Sequence, residues 1–161
     1  MICKSFDPIF APEAKVLIVG SMPSVKSLAD AQYYAHPRNA FWPILFDIFG
    51  EMPHNEYVLK KELIVAKKLA LWDVAACCVR EGSLDSNMRD VVYNDFSALY
   101  AQCPGIRTVL CNGGTAHALF VKSGYAENRR VIRLPSTSPA HTMPYEKKLT
   151  IWKDTLLSAL A

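Results

Sequence analysis

The chain has 161 residues, of which 51% are hydrophobic and 20% charged, and its formal net charge at pH 7 is +3. This hydrophobic content excludes a disordered chain, and the length suits one domain with a substantial core, over residues 1–161. No apolar run approaches the roughly 20 residues of a membrane span, and Asp7 and Pro8 interrupt the stretch that a secretory signal keeps apolar. We therefore expect a cytoplasmic protein, and the mild positive charge permits a polyanionic partner without requiring one.

Four short apolar runs alternate with helical patterns along the chain. The apolar runs cover residues 15–20, 69–78, 107–112 and 130–135. The predicted helices follow Asn39, cover about residues 56–68, open near residues 94–95, open at Thr115, and run from about residue 145. Short continuous apolar runs are typical of strands buried on both faces of a parallel sheet. The pattern therefore predicts an α/β protein, a three-layer α/β/α sandwich around a parallel sheet.

The five cysteines do not form a recognisable framework. They are Cys3, Cys77, Cys78, Cys103 and Cys111. An odd number of cysteines without a C-x-x-C pair argues against disulfides and against a zinc or iron–sulfur site. We expect reduced thiols, no metal and no cofactor.

Polar segments follow each of the four predicted strands. They are GSMPSVKSLADAQYYAHPRNAFW, CVREGSLDSNMRD, NGGTAH and PSTSPAHTMP, in chain order. Ligands of open α/β sheets bind beyond the carboxyl ends of the strands, so these segments are where chemistry is expected. None of them matches a dinucleotide or Walker-type phosphate motif. Taken singly, GSMPS could be a plain turn, NGGTAH a helix start capped by Thr115, and PSTSPAHT either a phosphate-holding loop or an ordinary surface loop.

The stretch YYAHPRNAFW, residues 33–42, combines aromatic rings with hydrogen-bonding side chains. Tyr34 could stack on a planar ligand or belong to the core. Asn39 could carry chemistry or cap the helix that follows it. His36 and Pro37 would fix the backbone between them.

Together, GSMPS, YYAHPRNAFW, LWDVAACCVREGSLDSNMRD and LPSTSPAH resemble, in the same order, the motifs of the uracil-DNA glycosylase superfamily. The resemblance spans residues ~15 to 155. Within the superfamily, the motifs most resemble those of the hypoxanthine-DNA (deoxyinosine) glycosylase branch. It implies a four-stranded parallel sheet between helices, and a pocket that accepts a base flipped out of DNA.

The resemblance also implies roles for individual residues. Tyr34 would stack on the base, Asn39 would be catalytic, and Asp73 would read the base edge. Ser21 and Met22 would complete the base pocket. Among the residues expected to contact DNA, the resemblance implies Ser136, Thr137, Ser138, Pro139 and His141. We also expect Ser24, Lys26 and Arg89 to contribute to a local DNA-binding face.

Two departures from the superfamily pattern bear on the substrate. The first motif reads Ser21-Met22-Pro23, without the Asp or Asn that positions water in many relatives, and Ser138-Pro139 stands where many have His-Pro. These departures place ordinary uracil excision in question and put the chemical role on Asn39. The cysteine pattern of the iron–sulfur relatives is also absent.

The expected reaction is hydrolysis of the bond between C1′ and N9 of deoxyinosine. An ionised Asp73 could accept a hydrogen bond from N1–H of hypoxanthine and would repel the N1 acceptor of adenine; alternatively, Asp73 could be a strand-end cap. Asn39 could either orient the attacking water or donate to the departing purine.

The expected partner is DNA containing a deaminated base, with no membrane and with the protein as a monomer. Two other functions remain open at this point. The order Ser21, Asp73, His141 is that of α/β-hydrolases, although the nucleophile-elbow motif is missing. The chain could also be a binding module for nucleosides or nucleic acid without catalytic activity.

Overall fold

The computed structural model describes residues 2–161, which form seven strands and six α-helices. The strands are β1 (Ile2–Lys4), β2 (Val16–Gly20), β3 (Leu69–Asp73), β4 (Ala75–Val79), β5 (Arg89–Tyr93), β6 (Thr108–Asn112) and β7 (Arg130–Leu134). The helices are α1 (Val25–Asp30), α2 (Phe41–Phe49), α3 (Tyr57–Ala66), α4 (Phe96–Gln102), α5 (Gly114–Ser123) and α6 (Tyr145–Leu160). A 3₁₀ turn covers Asp85–Asn87.

The centre of the fold is a four-stranded parallel sheet in the order β3-β2-β6-β7. Every residue of β2 is buried, as its continuous apolar run predicts. One apolar core lies between the sheet and helices α2, α3 and α6, and a second lies against α4 and α5. The predicted three-layer sandwich and its four-stranded sheet are confirmed.

The apolar run over residues 69–78 is two strands, so its prediction as one strand is wrong. β3 ends at Asp73, and β4 begins at Ala75 in a separate antiparallel sheet ordered β1-β4-β5. At the crossing, the Val74 amide donates to the Gly20 carbonyl at 2.8 Å, and the Ala75 amide donates to the Ser21 carbonyl at 3.1 Å. Residues on both sides of the crossing are buried, so hydrophobicity alone does not reveal it. The carboxyl end of the second parallel strand is therefore Asp73.

Two helix starts also differ from the prediction. Helix α5 is preceded by Gly113, whose φ of 100° lies in the region that favours glycine, and not by a capping Thr115. The six-residue α1, capped by the Ser24 side chain, has no apolar pattern long enough to predict it. No helix within residues 2–161 has the length and apolar character needed to cross a membrane.

Candidate active site

A cleft of about 990 Å³ opens at the carboxyl end of the parallel sheet. The residues that line it are 20–27, 29, 33, 34, 36, 38, 39, 73, 83–86, 112–115 and 136–141. All the predicted site residues line this cleft except Arg89, which is exposed on β5. Segments that are far apart in the sequence thus meet because parallel strands present their carboxyl ends to one edge.

Gly20 lets two polar side chains approach each other at the floor of the cleft. Gly20 and Asp73 are partners in the register of β2 and β3. A Cβ on Gly20 would lie 2.4 Å from Asp73 Oδ1 and 2.8 Å from Tyr34 Oη. Any side chain at residue 20 would therefore displace Asp73, Tyr34 or both.

Asp73 is a buried carboxyl group whose Oδ2 has no hydrogen-bond partner among residues 2–161. Burial, followed by repulsion from Asp85, raises its pKa to about 7, and the nearby Arg80 opposes the rise. Ionised and protonated forms are therefore both present near neutral pH. The Asn94 side chain donates to the Asp73 carbonyl at 2.7 Å, so the local cap belongs to Asn94. Asp73 lines the cleft, and its Oδ2 is buried without a hydrogen-bond partner among the described residues.

Tyr34 packs its ring on Phe41, with ring centroids 4.1 Å apart and an interplanar angle of 26°. Its φ of 55° turns the backbone so that the hydroxyl reaches the floor of the cleft. The hydroxyl is buried. Burial and then the Asp73 carboxylate raise the pKa of Tyr34, while a hydrogen bond with the Asn112 side chain opposes the rise, and the hydroxyl stays protonated. Tyr34 thus combines packing on the core with a place in the cleft lining.

Asn39 ends a tight turn and precedes helix α2. Its amide donates to the His36 carbonyl at 2.9 Å, and Pro37 occupies the second position of this turn, where its fixed φ is favourable. Asn39 Oδ1 accepts a hydrogen bond from the Phe41 amide at 2.9 Å. Since only an acceptor can face that N–H, the Oδ1 end is held at the helix and the Nδ2 donor end is left for the cleft. Asn39 therefore satisfies the first amide of α2 from the position before its N-cap residue, Ala40, and still presents a donor.

Thr137 joins three parts of the site, which changes the expectation of a direct DNA contact. It is buried and forms two hydrogen bonds with Asn112. Asn112 Nδ2 donates to Thr137 Oγ1 at 2.9 Å, and the Thr137 amide donates to Asn112 Oδ1 at 2.9 Å. The Thr137 carbonyl accepts from the Ala40 amide at 3.0 Å. The side chain of Thr137 is occupied internally, while its exposed neighbours Pro139 and His141 face solvent.

Three residues important to this arrangement were missed by sequence reasoning. The sequence predicts Asn112 only as a strand end before a helix capped by Thr115, although an Asn directly before two glycines is a usable signal of a functional position. Lys148 is buried beneath the 135–141 loop, and its Nζ donates to the carbonyls of Ser138 at 3.2 Å and His141 at 2.7 Å. Arg80, also buried, donates to the Pro23 carbonyl and so holds the turn after β2.

Three further polar side chains of the rim have partners within the protein. Ser21 Oγ donates to Asp85 Oδ1 at 2.8 Å, so it does not form the serine–histidine pair that a serine hydrolase needs. Ser24 Oγ caps α1 by accepting from the Ser27 amide at 3.1 Å. Lys26 lies 3.2 Å from Asp30 on the exposed surface. In the described part of the chain, no group of three or more His, Cys, Asp or Glu side chains could hold a metal ion.

Known proteins define the class to which this fold and cleft belong. A family model described as the uracil DNA glycosylase superfamily matches residues 8–157, and the chain belongs to that superfamily. Two curated proteins named hypoxanthine DNA glycosylase are similar to it. The one from Methanosarcina barkeri (strain Fusaro) is 37% identical over 111 residues, covering 68% of this chain and 70% of that protein. The one from Methanosarcina acetivorans is 32% identical over 157 residues, covering 95% and 97%.

A solved structure has the same fold. It is a solution NMR structure of a Methanosarcina acetivorans protein provisionally named a uracil DNA glycosylase. The two chains superpose with a TM-score of 0.85 at 30% identity, and the match covers 100% of each.

Proposed function

We propose that the chain is a monofunctional, metal-independent DNA glycosylase that removes hypoxanthine from deoxyinosine. The observation that carries this proposal is the convergence of Asn39, Tyr34 and Asp73 on one cleft in a member of the uracil DNA glycosylase superfamily. The names of the two archaeal relatives support hypoxanthine as the base.

The target nucleotide must leave the duplex before its glycosidic bond becomes accessible. Extrusion costs a few kcal/mol, and stacking on an aromatic ring returns about 1–3 kcal/mol of that cost. Tyr34 is the aromatic residue for this contact because it lines the cleft while Phe41 supports its ring from α2.

Asp73 distinguishes hypoxanthine from adenine. Its Oδ2 is buried and unpartnered, so a donor on the ligand is the group that would satisfy it. Hypoxanthine supplies such a donor at N1–H, whereas adenine presents an acceptor there. A site built around this hydrogen bond rejects a base that lacks the donor more strongly than shape alone could.

Asn39 stabilises the departing base. The bond to the Phe41 amide holds Oδ1 at the helix, so Nδ2 is the end that donates to the purine as negative charge grows on it. As the C1′–N9 bond breaks, the sugar acquires oxocarbenium character. A water molecule adds at C1′, and the proton it loses is balanced by protonation of the departing purine anion, which completes hydrolysis. This assignment favours leaving-group stabilisation over orientation of the water.

A base panel tests the proposed function. End-labelled duplexes carrying one deoxyinosine, deoxyuridine or deoxyxanthosine are incubated with the protein in EDTA and then treated with alkali, which cleaves at abasic sites. Cleavage at deoxyinosine, absent from an identically prepared Asn39→Ala variant, supports the proposal. No cleavage at any altered base, together with retained DNA binding, would instead support the non-catalytic binding module.

A further inference from the structure

We propose that Asn112 is a positioning residue of the reaction, which acts through Thr137 to fix Asn39. This inference rests on the proposed function and extends it to a residue outside the motifs that carry the family resemblance. Its basis is a continuous chain of hydrogen bonds from the centre of the sheet to the turn that carries Asn39.

The first link anchors the chain of contacts to a rigid element. Asn112 is the last residue of β6, which pairs with β2 on one side and β7 on the other. In register it lies opposite Leu134, and the β7 chain then turns to bring Thr137 back over it. A strand paired on both sides offers a firmer reference point than any loop around the cleft.

The second link is the reciprocal pair between Asn112 and Thr137. Both ends of the carboxamide are used, one as donor to the hydroxyl and one as acceptor from the amide, each at 2.9 Å. Two bonds from a planar group fix orientation as well as distance. Thr137 is buried, so water does not readily replace either bond.

The third link passes from Thr137 to the catalytic turn. The Thr137 carbonyl accepts from the amide of Ala40, which directly follows Asn39, at 3.0 Å. Ala40 occupies the N-cap position of α2 and has no side chain that could cap the helix. The peptide between Asn39 and Ala40 is thus held by Thr137 on one side, while Asn39 Oδ1 holds the Phe41 amide on the other.

These links predict a loss of rate without a direct role in the chemistry. Removing the Asn112 carboxamide frees Thr137 and then the Asn39–Ala40 peptide, which shifts the Nδ2 donor. Because a displacement of about 1 Å can cost about 100-fold in rate, Asn112→Ala should lower the single-turnover rate on deoxyinosine by about 10- to 100-fold. Thr137→Val, which loses only the hydroxyl, should lower it less, and Thr137→Ser should restore nearly the parent rate.

A double-mutant cycle with Asn39→Ala tests whether Asn112 acts through Asn39. If it does, the Asn112→Ala, Asn39→Ala double variant should be no slower than Asn39→Ala alone, because the group being positioned is already missing. Tyr100→Phe is the matched control, since it loses a hydrogen bond to the Tyr125 carbonyl far from the cleft. It should lower stability without changing the rate.

A second measurement does not depend on activity. Hydrogen exchange of the Ala40 amide reports the Thr137 link, and we expect it to accelerate in Asn112→Ala but not in Tyr100→Phe. If Ala40 exchange is faster in Asn112→Ala while the parent chain cleaves no altered base, the coupling stands and the proposed function alone is refuted. The inference is overturned by unchanged Ala40 exchange, by a parent-like rate in Asn112→Ala, or by full additivity with Asn39→Ala.

Discussion

Replacing Asn39 by aspartate separates the acceptor role of its Oδ1 at the helix from the donor role that we propose for its Nδ2. The Oδ1 bond to the Phe41 amide, 2.9 Å long, needs only an acceptor, which aspartate retains. A negative charge beside the first turn of α2 adds about 0.3–1 kcal/mol of favourable dipole interaction. Asn39→Asp should therefore unfold at the parent temperature or slightly above it, while Asn39→Ala loses about 1 kcal/mol of stability with the bond.

The rate of hypoxanthine excision should depend on the Nδ2 donor of Asn39 and not on its Oδ1 acceptor. Both substitutions remove Nδ2–H, and loss of one transition-state donor costs about 10²–10³-fold, or about 2.7–4 kcal/mol. Single-turnover excision of hypoxanthine, measured with saturating protein so that weaker DNA binding does not enter, gives this ratio. Thermal unfolding of the same samples gives the stability. If Asn39→Asp excises hypoxanthine within tenfold of the parent rate, the side chain orients water through its oxygen, and our assignment of the donor is wrong.

The further predictions concern Asp73, Gly20, Lys148 and the salt dependence of DNA binding. Burial raises the pKa of Asp73 from 3.8 to about 7, so ionisation of this carboxyl group should destabilise the fold progressively from pH 4 to 7. The melting temperature of Asp73→Asn should therefore rise relative to that of the parent over the same interval. The rate of hypoxanthine excision should rise with pH through about 7 in the parent, because the ionised carboxylate accepts from N1–H, and an unchanged profile in Asp73→Asn would contradict this. Gly20→Ala should abolish most excision by displacing the side chains of Asp73 and Tyr34 at the cleft floor. The control Gly105→Ala, where a Cβ would lie 3.2 Å from its nearest neighbour, should keep the parent rate. Equal rates in the two variants would refute the steric argument. Lys148→Met should weaken DNA binding with little change in the rate at saturation, whereas the exposed Lys147→Met should change neither; a slower chemical step in Lys148→Met would place that lysine in catalysis. With few cations at the cleft, the logarithmic salt dependence of binding should have a slope of about −3, and a slope near −10 would indicate a much larger phosphate-binding face.

The parallel sheet was predictable because burial on both faces leaves continuous apolar runs in the sequence. The same signal failed between residues 69 and 78, where the chain leaves one sheet for another without leaving the interior. Hydrophobicity reports burial, and it does not distinguish which sheet a residue enters. The strand end at Asp73 came only from the resemblance to the superfamily's motifs, since the apolar run itself continues to residue 78.

The contacts within the site were less predictable than its location. Thr137 and Asn112 are separated by 25 residues, and Lys148 follows Ser138 by 10, so no local pattern links these pairs. The hydroxyl-rich 135–141 loop was expected to face phosphates throughout, yet Thr137 turns inward because its carbonyl, amide and hydroxyl all find partners inside the protein. Polar composition predicted a functional loop and could not tell which of its members hold the others in place.

The pairing of β1 with β4 links the amino-terminal residues to the strand crossing at Asp73. Residues 2–4 pair with residues 77–79, the Ser5 amide donates to the Ala76 carbonyl at 2.8 Å, and Trp72 Nε1 donates to the Phe6 carbonyl at 2.9 Å. These bonds run along both sides of the Asp73 crossing. An affinity tag joined directly before β1 would therefore disturb the backbone that carries Asp73, the carboxylate proposed to read the base. Purified protein for kinetic work is better tagged after α6, at the opposite end of the chain.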